Sequence, residues 1–239
     1  HIIVPTATAV DILRNEYGIS SKITVVPHGI PACQFVSSRK EKERLGFGDK
    51  IVLTSFGMMS PGKGYEHVIH ALPEVVKKHP NVVYLIIGQT HPVVRRGQGE
   101  SYRNELIETV KSLGLEKNVK FYNKYLRLQE IVQYLKATDI YISSSLNPNQ
   151  IVSGTLAYAM GCGRAVVSTP FLHAQEAVTP DRGILVDFRK PKQYTDAIIK
   201  LITNEQLRKD MERNAYVSTR KMLWPNIALS YMNVFKEDI

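Results

Sequence analysis

The chain has 239 residues, 44% apolar and 22% charged, with a formal net charge of +9. That length suits one large domain, or one domain with a piece of another, and the composition is that of a water-soluble globular protein. No apolar run approaches membrane-spanning length, and the basic residues are scattered without interleaved aromatic platforms or a recognised motif, which argues against nucleic acid as a partner.

Ile2-Ile3-Val4 reads as a strand with nothing before it, followed by a helix to Asn15 capped by Thr6 or Thr8. Ile23 to Val26 is a short strand closed by Pro27-His28-Gly29, and Ile30 to Glu43 is polar and linker-like. We expect residues 1–45 to be the tail of an N-terminal domain plus a linker, 46–222 a ligand-binding domain, and 223–239 a terminal helix. From Lys50 the pattern is regular. Strands are expected at Lys50–Phe56, Val82–Ile87, Val119–Tyr122, Ile140–Ser143, Ala165–Ser168 and Gly183–Val186. Helices are expected between them at Tyr65–Lys78, Tyr102–Leu113, Leu128–Lys136 and Leu156–Met160, the last opened by Ser153-Gly154-Thr155. Gln89 to Glu100 reads as a long polar loop. Three helices close the chain: Tyr194–Ile202, Glu205–Lys221 and Pro225–Phe235, with the Trp224 indole packed beneath the last.

Strand and helix alternating at this spacing give an α/β fold: a Rossmann-like, doubly wound parallel sheet with helices on both faces. Such sheets bind ligands beyond the carboxyl ends of their strands. The loops Gly57–Gly64, Gly88–Glu100 and Ser143–Thr155 therefore share one rim. Gly57 and Gly64 bound a loop whose Lys63 either neutralises a phosphate or is an incidental surface cation. Ser153, Gly154 and Thr155 start a helix whose free N–H groups and dipole suit an anion, or simply cap a core helix. His91 stands just past a strand end, placed for proton exchange or as a structural donor; Arg95, Arg96 and Arg103 share its segment. Glu176 either accepts from sugar or ribose hydroxyls or caps its own short helix. Cys33 and Cys162 are far apart in apolar settings and read as reduced, buried thiols of a cytoplasmic protein; peripheral contact with the inner face of a membrane stays open.

Several segments, in order, carry a resemblance. They are Ile23-Thr24-Val25-Val26-Pro27-His28-Gly29-Ile30, Ser55-Phe56-Gly57 through Lys63-Gly64, Val119-Lys120-Phe121 and Ala137-Thr138-Asp139-Ile140. Ala159-Met160-Gly161-Cys162-Gly163 with Ala165-Val166-Val167, and Trp224, complete the set. Together they resemble the C-terminal, donor-binding half of the retaining glycosyltransferases of family four, which have the two-domain GT-B fold. The resemblance implies transfer of a sugar from a nucleotide-sugar donor to a carbohydrate or lipid-linked acceptor, with an N-terminal domain as partner and neither cofactor nor metal. It implies that Lys63 neutralises the departing diphosphate with the amides of Ser153 to Thr155, that the base rests near Asn123 and Lys124, and that Glu176 lies beside the sugar. Met58 stands where the family has an arginine, and Gln150 and Tyr158 stand where it has two glutamates. That pattern marks a distinct subgroup. The competing readings are a non-catalytic carbohydrate- or phosphate-binding domain of the same fold and a phosphorylase-like enzyme using inorganic phosphate.

Overall fold

The computed structural model describes residues 1–237. A small unit comes first: β1 (Ile2–Val4), α1 (Ala7–Asn15) and β2 (Ile23–Val25), with β1 and β2 paired in parallel apart from the main sheet. Thr6 is the cap of α1, accepting the Ala9 N–H at 3.2 Å. The stretch Ile30–Glu43 is not linker throughout, because α2 (Arg39–Arg44) forms within it. Its anchor is distant in sequence: Lys42 pairs with the buried Asp139 at 2.9 Å, and the same carboxylate accepts from Ser38 Oγ and the Val52 N–H. A buried carboxylate must be paired and hydrogen-bonded, and that requirement draws this polar segment onto the sheet.

The main domain runs β3 (Ile51–Phe56), α3 (Tyr65–Lys78), β4 (Val82–Ile87), α4 (Pro92–Gln98), α5 (Ser101–Ser112), β5 (Val119–Tyr122), α6 (Leu128–Ala137) and β6 (Ile140–Ser143). It continues α7 (Gly154–Gly161), β7 (Ala165–Ser168), α8 (Leu172–Ala177), β8 (Gly183–Leu185), α9 (Pro191–Thr203), α10 (Glu205–Ser218) and α11 (Trp224–Glu237). The six strands lie in the order β5-β4-β3-β6-β7-β8, and all pair in parallel. Alternate residues face opposite sides. Leu53, Tyr84, Ile86, Ile140 and Val167 pack with Val68, Leu106 and Ile198 of α3, α5 and α9. On the other side Tyr141 and Val166 pack with Leu135, Leu156 and Ala215 of α6, α7 and α10. Both faces are thus covered, and the strands read as continuous apolar runs for that reason.

Two further expectations change. Gln89–Glu100 is not a loop throughout, since α4 occupies Pro92–Gln98. His91 caps it through Nδ1, and Pro92 sits in its first turn, where the missing N–H costs nothing. The expected helix Glu205–Lys221 breaks at Ser218 into a 3-10 turn at Arg220–Met222. At the chain's end the Trp224 indole lies on Gly29, where any side chain would overlap its ring. Ile30 and Trp224 are also joined backbone to backbone at 3.1 Å.

Candidate functional site

Strand order reverses between β3 and β6, so the chain leaves the sheet in opposite directions from these neighbours. The split opens a crevice above their carboxyl ends. The three expected rim loops meet there. Met59 N–H donates to Gln89 O and His91 N–H to Met59 O, each at 2.8 Å, while Leu146 N–H donates to Gly62 O at 2.9 Å. Ser144 Oγ holds the Lys63 carbonyl at 2.7 Å. Glycine is required at two of the crossings. Gly88 has φ +142°, and a Cβ there would overlap the Gly57 carbonyl. Gly64 has φ +63°, and a Cβ would stand 2.6 Å from the Ser144 carbonyl oxygen.

The cleft so formed is lined by Ser55, Lys63, Tyr65, Tyr141, Ser144, Ser145, Gln150, Ser153 and Thr155. Most of its polar groups are already committed. Ser55 Oγ donates to Ile142 O at 2.6 Å, and Ser145 Oγ donates to Gln150 Oε1 at 2.7 Å. The Gln150 amide nitrogen is taken by Val152 O at 3.0 Å, so this side chain staples its own loop. Burial pushes the Tyr141 phenol up to about 12, the Thr155 side chain opposing the shift. Lys63 differs from all of these. Its ammonium is half-buried, and among the described residues no carboxylate or acceptor reaches it. Burial alone pulls its pKa below the ordinary lysine value. A cation desolvated without a counter-charge is stabilised by any anion that enters.

Facing the same cleft, α7 begins at its N-cap Ser153, whose hydroxyl accepts from Leu156 N–H at 3.3 Å. Ser153 N–H donates to Nδ1 of the buried His173 at 2.8 Å. The N–H groups of Gly154 and Thr155 have no acceptor among the described residues, which leaves them, with the helix dipole, as anion donors. Gly57 lies against Thr155, whose methyl would be 3.5 Å from a Cβ on the glycine. His28 rides on the first turn, for a Cβ on Gly154 would stand 2.8 Å from its Nε2. Burial lowers the His173 pKa, the nearby Glu176 opposing and His28 assisting, so the ring is neutral and free to accept.

The structure gathers Gly57, Lys63, Gln150, Ser153, Gly154 and Thr155 into one cleft. The other candidates stand apart from it. His91 is occupied as the cap of α4. Arg95 and Arg96 are exposed on α4, whereas Arg103 is buried and holds the Gly88 carbonyl at 2.8 Å. Tyr158 packs on Phe56, ring centroids 6.4 Å apart, and edge-on to His28 at 5.7 Å. Asn123 and Lys124 are exposed beyond β5, on the outer strand. Glu176 lies on a separate cavity of about 650 Å³, bounded by Pro27, Met160, His173, Lys221 and Ile227. Its carboxylate is engaged at the start of α1, accepting the N–H groups of Ala7 and Thr8 at 3.2 Å and the Thr8 hydroxyl at 3.1 Å. Sequence reasoning missed Ser55, Tyr141, Ser144, Ser145, His28 and His173 as parts of the site. The serine run at the end of β6 was its one local signal, because the two histidines arrive from remote segments.

The parallel sheet, covered by helices on both faces, has the architecture of one half of a GT-B protein. The family model for glycosyl transferases group 1 matches residues 37–218, and the chain belongs to that family. It is similar to an uncharacterized glycosyltransferase of Methanocaldococcus jannaschii, 31% identical over 83% of this chain and 47% of the relative. Among solved structures it resembles sucrose-phosphate synthase from Thermosynechococcus elongatus, with a TM-score of 0.84 and 18% identity, covering 98% of this chain and 57% of the other. The Anabaena protein HepE, solved in complex with UDP-glucose, gives a TM-score of 0.83 at 22% identity, with 98% and 63% covered. The chain spans about half the length of the curated relatives it matches. Among the described residues no helix is long and apolar enough to cross a membrane.

Proposed function

We propose that this chain is the donor-binding half of a retaining glycosyltransferase and that it takes a nucleoside-diphosphate sugar. The observation that carries the reading is the uncommitted, half-buried Lys63 sharing a cleft with the open start of α7. The closed part of that cleft holds only about 20 Å³, room for one water-sized group, so the diphosphate would lie across its mouth. As the glycosidic bond breaks, negative charge grows on the departing phosphate. Lys63 and the Gly154 and Thr155 amides would stabilise it without reorganising, because they are already held in place by the loop contacts. No metal takes part in this scheme. A uridine nucleotide is the first donor to try, since HepE was solved with UDP-glucose.

The residues 1–45 would belong with an N-terminal domain that completes the active site, and α11 would return toward it. A second reading has support in two side chains: Gln150 is tied to its loop and Tyr158 is packed on Phe56, in the places where the resembled family has two glutamates. It makes the chain a binding domain without transfer chemistry. Calorimetry with a panel of nucleoside-diphosphate sugars tests the first step common to both. Absence of heat with every donor and with the free nucleoside diphosphates would reject donor binding by this chain. Release of nucleoside diphosphate by the longer protein in the presence of acceptor would decide for the transferase.

A further inference from the structure

The two cysteines, remote in sequence, meet in the structure. Cys33 follows β2, Cys162 ends α7, and both are buried in the cluster formed with Leu156, Met160 and Ala215. The two thiols lie in that one cluster near enough to shift one another's titration, and the Cys33 S–H donates to Gln34 O at 3.6 Å. Their surroundings hold them together. A Cβ on Gly161 would stand 2.6 Å from Ile30 Cδ1, and one on Gly163 2.6 Å from Phe35 Cδ2. The segment carrying Cys33 is therefore seated on the glycine turn that carries Cys162. Arg220 fixes the same turn by donating to Gly161 O at 2.6 Å, and Arg164 does so by donating to Cys162 O at 3.0 Å. Tyr216 OH donates to Cys33 O at 3.0 Å.

We propose that Cys33 and Cys162 are a redox modification site, which hydrogen peroxide converts to an intramolecular disulfide joining the segment after β2 to the end of α7. The neighbouring Cys162 thiol, aided by the charges of Lys136, Arg164 and Arg220 and opposed by burial, brings Cys33 down to about 7. Cys162 is shifted the opposite way by its interaction with Cys33 and by burial. Cys33 is thus the thiolate that attacks, and Cys162 the thiol that resolves. Cys33 sulfur attacks one peroxide oxygen; the O–O bond breaks, an S–O bond forms, and hydroxide leaves. Cys162 sulfur then attacks Cys33 sulfur, forming the S–S bond, and the sulfenic oxygen departs as water with the Cys162 proton. Two thiols lose two electrons and the peroxide gains them. Burial of both sulfurs favours a small oxidant over a bulky disulfide. The crosslink would fasten the far end of the helix whose start lines the Lys63 cleft.

The test is peroxide treatment of the whole chain, followed by thiol titration under denaturing conditions and peptide mass spectrometry. Both thiols should disappear, a Cys33–Cys162 linked peptide should appear, and a dithiol reductant should restore both. In Cys162→Ser, oxidation should stop at a Cys33 sulfenic acid that dimedone traps; in Cys33→Ser, Cys162 should stay reduced. Two titratable thiols surviving excess peroxide would overturn the proposal. So would oxidation of either cysteine to sulfinic acid without the linked peptide in the unmutated chain, which needs no variant to fold.

Discussion

Replacing Lys63 by methionine keeps most of the side-chain stem and removes the charge. Nothing in the free protein loses a partner, because no carboxylate or acceptor is bound to the ammonium among the described residues. The fold should therefore be unaffected or slightly more stable, since a desolvated cation has been deleted. Binding should suffer. Hydrogen bonds to charged groups contribute about 1.5–3 kcal/mol, so nucleoside-diphosphate affinity should fall roughly 10- to 150-fold. The pH dependence has a fixed sign. Burial depresses the Lys63 pKa, so the folded chain binds fewer protons there than the unfolded one. Its contribution to the stability of the free protein therefore rises with pH between the lowered value and the ordinary 10.5. Diphosphate affinity should move the other way, falling as pH climbs through the lowered value, and Lys63→Met should lack that fall. Calorimetry at fixed low ionic strength, paired with thermal denaturation, measures both. Equal affinity of the variant and the parent, with the same pH profile, would refute the reasoning.

Gly88→Ala should cost more than about 3 kcal/mol in urea unfolding, beyond the usual left-handed penalty, because the new methyl overlaps the Gly57 carbonyl and backbone cannot swing aside. Glu176→Gln should lower stability by about 1 kcal/mol through the weakened cap on α1 while leaving nucleoside-diphosphate affinity unchanged. A large loss of affinity in that variant would assign Glu176 to the ligand instead. Neutral His173 accepts the Ser153 N–H, and its lowered pKa means that the folded chain binds fewer protons there. Stability should consequently drop as pH falls below about 6.5 toward the lowered value, and His173→Asn, which keeps an acceptor, should flatten that part of the melting-temperature profile.

The sheet was legible because each central strand is buried on both faces, so Val82–Ile87 and Ala165–Ser168 appear as unbroken apolar runs between turns. Parallel order then put three loops on one rim, and their mutual hydrogen bonds follow from it. Lys63 and Ser153–Thr155 were legible for the same reason, since a loop after the first main strand and a helix start after a later one must face each other. What escaped notice depends on partners remote in sequence. The helix α2 is polar throughout and is held by Asp139, so no periodicity announces it. Glu176 meets a helix start 168 residues away, and Cys33 shares a buried cluster with Cys162 across a shorter but still long interval. The helix α4 had a local signal, His91-Pro92, but its exposed surface carries no apolar stripe to confirm it.

Where a diphosphate binds is answered directly by a crystal structure of the chain soaked with a nucleoside diphosphate. The terminal phosphate should lie within hydrogen-bonding distance of Lys63 Nζ and of the Gly154 and Thr155 amides. Phosphate bound elsewhere, in the cavity beside Glu176 and Lys221 for example, with the Lys63 cleft unchanged, would contradict it.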